Sequence, residues 1–282
     1  MLLQRVLTAV LGIPVIVVLI LVGGVPYTLA VAIILALGIL EFYAATDPET
    51  SAISPMHPRL RRAAPSLFGQ RVPAFAGCAG VVLLVATAYD SLDELTGAFA
   101  GLMAGIFLIL ILRQDVQTGL SDWLWIMGGL AYIGFLGAHL VLLRDLDDGR
   151  DWVFVAVFST FVADTAAYFV GRALGSRQIA PAVSPGKTAE GAIAGLVAGF
   201  MAVFVLVWIT GLGVDGLKLV PLALLLPAVA VVGDLGESLI KRGAGVKDTS
   251  ELVPGHGGFL DRLDSILFTT PLVYYFVIWV VL

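Results

Sequence analysis

Residues 217–242 read LKLVPLALLLPAVAVVGDLGESLIKR. From Leu219 to Gly233 no side chain carries a charge, and from Asp234 the same run becomes polar: Asp234, Glu237, Ser238, Lys241 and Arg242. A continuous apolar run of this kind, without period-two alternation, reads as a membrane helix rather than a strand. Its polar end locates the chemistry. Charge set inside or beside a membrane is costly and ordinarily faces water, a partner or a site.

Similar runs recur along the whole chain. Spans are predicted at about 6–23, 27–45, 73–89, 96–112, 123–143, 152–171, 189–210, 217–240 and 265–282. The sixth and eighth carry polar residues toward their later ends, which makes them candidates for broken or tilted helices. The composition agrees: 59% of the 282 residues are hydrophobic and 13% charged, against about 25% charged in soluble domains. The expected fold is therefore all-α: a polytopic membrane helical bundle of about nine transmembrane helices. The alternation of a β-barrel is absent from these runs. Residues 1–282 are expected to form one integral membrane domain, more variable in character over 1–150, with the catalytic half at 151–282. The first apolar run is expected to be a retained helix, since no convincing small-x-small cleavage site precedes the next span. The single cysteine, Cys78, excludes an intramolecular disulfide framework.

With nine spans, the N-terminus and the loops after spans two, four, six and eight share one side. Of the sixteen Lys and Arg residues, only Arg144, Arg150 and Lys218 fall on the other. The positive-inside rule then puts the N-terminus and the stretch from Asp234 to Asp264 in the cytoplasm and the C-terminus outside. The loop from about Thr46 to Val72, with Arg59, Arg61 and Arg62, reads as a topogenic loop; a patch for anionic lipid headgroups is the alternative.

Three elements carry candidate chemistry. Asp164 lies within span six and shares a helix face with Tyr168 at i+4, so both are candidates to line one cavity. Next comes Ser184-Pro185-Gly186-Lys187-Thr188-Ala189-Glu190-Gly191. A P-loop needs an earlier glycine and a preceding strand, whereas position 181 is proline and a membrane helix precedes it. What remains is a helix start that Ser184 or Thr188 can cap, beside Lys187, in a place suited to phosphate. The third element is the window from Asp234 to Asp264. In a helix, Asp234, Ser238 and Lys241 form one stripe with Glu237 able to pair with Lys241, while Asp261 and Asp264 are spaced i,i+3. Asp234, Asp261 and Asp264 are hard oxygen donors of the kind that suits Mg²⁺. Lys241, Arg242, Lys247 and Arg262 suit polyphosphate oxygens. His256, framed by Gly255, Gly257 and Gly258, is a candidate acid, base or phosphate donor, or equally an orienting hydrogen-bond group. Taken together these residues predict a phosphoryl or nucleotidyl transferase acting on a lipid.

The run from Ser238 through Lys241-Arg242, Lys247-Asp248, Ser250, Val253-Pro254, His256-Gly257-Gly258-Phe259 and Asp261-Arg262-Leu263-Asp264 resembles the signature of the phosphatidate cytidylyltransferase (CDP-diacylglycerol synthase) family. The Asp164–Tyr168 and Ser184–Gly191 elements are similar to that family too and stand in the same order, with departures at Gly186 and Val253. The first five spans match in character alone. The resemblance implies that CTP and phosphatidate give CDP-diacylglycerol and pyrophosphate. It further implies Mg²⁺ at Asp234, Asp261 and Asp264, with K⁺ a candidate second cation. Lys241, Arg242, Lys247 and Arg262 would hold phosphates with Ser238 assisting, and Ser184, Lys187 and Thr188 would approach from the neighbouring loop. Asp248 and Glu190 would orient these basic groups, and Asp164 and Tyr168 would close the cavity. A homodimer in a bacterial inner membrane, with a cytoplasmic active site and no nucleic-acid partner, completes the expectation. Gly101 and Gly105 are a candidate close-packing pair. A CTP-dependent lipid-alcohol kinase and a secondary transporter are the alternatives.

Overall fold

The computed structural model describes residues 2–46, 72–114, 119–250 and 258–282, with side chains from residue 12 in the first helix and from residue 75 in the third. The loop cluster Arg59, Arg61 and Arg62, as well as Val253 and His256, lie outside the described residues. The helices are α1 (Leu2–Val22), α2 (Gly24–Thr46), α3 (Val72–Ala88), α4 (Leu92–Arg113), α5 (Gly119–Gly129), α6 (Leu136–Asp145), α7 (Gly149–Leu174), α8 (Ala189–Thr210), α9 (Gly216–Gly243), the short α10 (Leu260–Leu263) and α11 (Ile266–Phe276). Seven helical rods among the described residues are long and apolar enough to cross a membrane: α2, α4, α5 continued by α6, α7, α8, α9, and α10 continued by α11. Gly12–Val22 and Phe75–Ala88 are shorter apolar helices. The chain is an all-α polytopic integral membrane protein.

The core follows from helical spacing. On α2, Val31, Leu35, Ile39 and Phe42 recur every three or four residues and are buried, which turns one face of the helix inward. Leu130, Ile133, Trp152, Leu222 and Leu226 close the interior from other helices. Outside, Leu112, Trp208, Leu217 and Ile209 are exposed. In water such a belt would be an aggregation surface; in a bilayer it is the lipid face.

Two departures from the sequence reading matter. The sixth and eighth spans, α7 and α9, are each continuous, even though α9 contains Pro221 and Pro227. The irregular rods are the fifth, where α5 passes into α6 through a wide π-type turn at Leu130–Phe135, and the last, where α11 ends in a similar stretch at Val277–Val281. Between α7 and α8, where a capping turn was expected, the chain forms an antiparallel ribbon of β1 (Gln178–Ala180) and β2 (Ser184–Thr188).

The ribbon, the C-terminal ends of α2, α7 and α9, and the start of α10 meet at one end of the bundle. At the opposite end, Arg144 Nε donates to Ile20 O at 2.9 Å and Tyr27 Oη to Leu140 O at 3.2 Å. Adjacent helices therefore run up and down, and the polar motifs collect at a single end.

Candidate active site

The site is built on the last turns of α9. Glu237 is buried, 1% exposed, and the four-residue offset brings Lys241 Nζ to 2.8 Å from its Oε2. Asp261, carried by α10, approaches the same ammonium at 2.7 Å through Oδ1. Lys241 thus lies between two buried carboxylates. The other oxygen of Asp261, Oδ2, accepts from Thr249 N (3.2 Å), Thr249 Oγ1 (3.1 Å) and Gly258 N (2.7 Å).

Asp264 closes the next turn. It accepts the Ser265 N–H at 2.7 Å and lies within electrostatic reach of Asp234, Asp164 and Lys241. The close approach depends on Gly233, because a Cβ there would sit 2.6 Å from Asp264 O and 3.0 Å from the Phe268 ring. Asp164, half-buried on α7, adds its carboxylate and lies close enough to Asp234, Lys187 and Arg262 to feel their charges. Asp164, Asp234 and Asp264 are therefore one acidic face, opposed by Lys187, Lys241 and Arg262.

The ribbon delivers Lys187. Its Nζ lies 2.6 Å from Asp234 Oδ2. One residue on, Thr188 caps α8 by accepting from Gly191 N at 3.2 Å, the second of the two caps, Ser184 or Thr188, that the sequence offered. Ser184 is half-buried at the start of β2. Arg242 Nε donates to Val183 O at 3.2 Å and ties the ribbon turn to the end of α9. At the rim, Lys247, Asp248 and Arg262 are exposed, while Ser238 is half-buried between Asp234 and Lys241 on α9.

The sequence model of the cytidylyltransferase family matches residues 3–280. This chain belongs to the cytidylyltransferase family. It is 32% identical over 303 aligned positions to the phosphatidate cytidylyltransferase of Synechocystis sp., covering 98% of this chain and 96% of that one. It is 38% identical over 259 positions to the phosphatidate cytidylyltransferase of Brucella suis biovar 1, with coverage of 90% and 85%. The phosphatidate cytidylyltransferase of Pseudomonas aeruginosa is 36% identical over 219 positions, with coverage of 75% and 80%.

Not every expected residue of this cytidylyltransferase takes its expected place. Tyr168 does not close a cavity with Asp164: it is 54% exposed, and its hydroxyl accepts from Arg172 Nη1 at 2.9 Å. Among the described residues Glu190 pairs with no lysine or arginine side chain; it accepts from the backbone N–H groups of Ser176 (3.0 Å) and Arg177 (3.3 Å) and from the Ser176 hydroxyl. It shapes the turn that leads into β1. Among the described residues nothing lies within 4 Å of a Cβ built on Gly101 or Gly105, so neither glycine serves a close contact there.

Two residues beside the candidate site were not anticipated. Glu41 of α2, 4% exposed, accepts from four donors around the start of α10. It was readable as a lone acid in span two, by the rule already applied to Asp164. Tyr132 lies in the π-type turn, its hydroxyl buried with no hydrogen-bond partner among the described residues. It is in electrostatic reach of Glu237, Asp264, Asp234 and Asp261. No sequence signal marks that turn, although such turns recur at functional sites.

The donor set can be tested against a metal. Among the described residues no three His, Cys, Asp or Glu side chains converge as a ligand group. Asp261 has both oxygens committed to protein donors. Asp234 and Asp264 are hard oxygen donors within electrostatic reach of one another. That pair fits Mg²⁺, which is commonly held by one or two carboxylates and completed by water and substrate phosphates.

Proposed function

We propose that this protein is a phosphatidate cytidylyltransferase, transferring CMP from CTP to phosphatidate to give CDP-diacylglycerol and pyrophosphate. The observation that carries the proposal is the alternation of Lys187, Lys241 and Arg262 with Asp164, Asp234 and Asp264 at one end of a membrane bundle. The names of the three relatives support it.

A phosphate oxygen of phosphatidate attacks the α-phosphorus of CTP in line. The new P–O bond forms as the bond to the β-phosphate oxygen breaks, and pyrophosphate leaves with that electron pair. The nucleophile is already ionised, so positioning and charge neutralisation do most of the work. Lys187 and Arg262 would hold phosphate oxygens over the acidic face, and Lys247 would add charge at the rim. Arg242, fixed to Val183 O, holds the ribbon and its Lys187 in register. Mg²⁺ would be held by Asp234 and Asp264 and would neutralise phosphate charge, whereas Asp261 keeps both oxygens on protein donors. Phe169 of α7 and Ile193 and Val197 of α8 expose apolar surface beside the ribbon, a route for acyl chains from the bilayer.

We further assign nine spans, the two beyond the seven being completed by α1 and α3, in one membrane domain. The site faces the cytoplasm of a bacterial inner membrane, where CTP is found. The basic residues gathered at the site end support that orientation.

The test is incubation of the purified full-length protein with CTP, phosphatidate and Mg²⁺, with and without K⁺. Pyrophosphate release matched by CDP-diacylglycerol, and abolished by chelation and by Asp234→Asn or Asp264→Asn, is the expected result. CDP release with a phosphorylated lipid alcohol would replace the proposal with a kinase.

A further inference from the structure

Glu41 lies in α2, far in sequence from the residues that carry the chemistry, yet its carboxylate is buried at the site. Oε1 accepts from Ser250 Oγ at 2.6 Å and from Phe259 N at 3.1 Å. Oε2 accepts from Leu260 N at 2.9 Å and from Thr249 Oγ1 at 3.4 Å. Every contact is a donor approaching an oxygen, and no lysine or arginine pairs with it among these contacts. Donors come from both sides of the site: Thr249 and Ser250 follow α9, and Phe259 and Leu260 begin the turn that bears Asp261, Arg262 and Asp264. Thr249 Oγ1 also touches Asp261 Oδ2, so the Glu41 contacts run directly into the Lys241 bridge. Gly258 leaves the space for this arrangement, since a Cβ there would overlap both Thr249 Oγ1 and Glu41 Oε2.

We infer that Glu41 is the positioning residue that fixes the α10 turn, and with it Asp261, Arg262 and Asp264, against α9. The inference rests on the cytidylyltransferase reading of the site for its effect on rate, but not for its effect on structure. Glu41 touches no reacting atom in this scheme; it acts through the turn. The chemistry of its cradle is selective. A carboxylate accepts at both oxygens, whereas a glutamine presents an NH₂ group in place of one acceptor and so opposes two of the four donors. Displacement of catalytic groups by about 1 Å costs on the order of 10²-fold in rate.

The experiment compares full-length wild type, Glu41→Gln, the gentler Ser250→Ala, and Tyr43→Phe. Tyr43 is two residues away on α2, and its hydroxyl donates to Ile126 O at 2.8 Å, so this variant loses a buried α2 hydrogen bond without touching the turn. Amide hydrogen exchange at Phe259 and Leu260 is measured beside kcat and KM for CTP. Glu41→Gln is expected to speed exchange at these two amides and to lower kcat about 10- to 100-fold, with a smaller change in KM. Ser250→Ala should move both readouts in the same direction by less. Tyr43→Phe should lower thermal stability and leave both unchanged. Unaltered exchange and kcat in Glu41→Gln, or a Tyr43→Phe variant that reproduces both changes, would overturn the inference. A wild type without cytidylyl transfer would overturn the reaction reading alone, and faster exchange in Glu41→Gln would still support the anchor.

Discussion

Lys241 offers the sharpest test of how the site is held together. Its ammonium lies 2.8 Å from Glu237 Oε2 and 2.7 Å from Asp261 Oδ1, and the two residues are 1% and 8% exposed. At an effective dielectric of about 20, each contact has a gross attraction of roughly 6 kcal/mol. The desolvation of three charges offsets most of that sum, so the bridge contributes little net stability. Removing the central charge is a different matter. Lys241→Met would leave two buried carboxylates without their cation, and breaking a buried pair in this way costs about 3–5 kcal/mol. At about 2–4 °C per kcal/mol for a chain near this size, unfolding in detergent should fall by roughly 6–20 °C. The informative comparison is the double variant Lys241→Met/Glu237→Gln. It removes one of the stranded charges and should regain on the order of 1–3 kcal/mol, the coupling expected of residues in one network. The assay is thermal unfolding of the purified proteins in the same detergent, followed by tryptophan fluorescence. A Lys241→Met protein that melts with wild type, or a double variant less stable than Lys241→Met, would refute the bridge.

Two further outcomes are expected. Lys187→Ala removes the cation facing Asp234 and should lower kcat/KM for CTP by about 10²-fold, the scale for loss of one charge-stabilising group, with partial recovery in Lys187→Arg; steady-state kinetics decide it, and a fully active Lys187→Ala would end its phosphate role. Gly233→Ala places a methyl against Asp264 O and Phe268, whereas a Cβ at Gly236 meets nothing within 4 Å; the first should cost about 1–3 kcal/mol of overpacking and most of the activity, and the second should be neutral in melting and turnover.

Much of the site was legible in the sequence because its residues follow helical arithmetic. Glu237 and Lys241 pair at i+4, and Thr188 caps the helix it precedes, both from spacing alone. The turn at 184–191 was read as a phosphate-facing cap, and it does deliver Lys187 to Asp234; its ribbon partner Gln178–Ala180 was missed because three residues carry no measurable strand pattern. The side-chain direction of Tyr168 was also missed. Positions i and i+4 lie about 40° apart around a helix of 3.6 residues per turn, and at the edge of a bundle that difference separates a half-buried Asp164 from an exposed Tyr168. Glu190 went astray for another reason: a carboxylate at a helix start competes for backbone N–H groups, and here those of Ser176 and Arg177 took it ahead of any lysine.

The residues that spacing could not reveal come from the half of the chain with no motif. Phe42, Tyr132 and Phe268 lie in a row of tilted rings, with centroids 6.3 Å apart for Phe42–Tyr132 and 6.0 Å for Tyr132–Phe268. Phe268 also lies against Gly233, where α9 meets the Asp264 turn. The acidic face therefore has an apolar wall on its inner side and the exposed Arg262 and Lys247 on its outer side. A low-dielectric wall behind a set of charges strengthens their interactions and directs their field toward the open side, where a nucleotide arriving from water would meet it. Phe42 and Tyr132 supply that wall, and Glu41 on the same helix as Phe42 fixes the turn in front of it. All three precede residue 150. A boundary there divides the motifs from the rest of the sequence, but it cuts through the site: the second half brings the charged groups, and the first half supplies the surface that fixes their position and field.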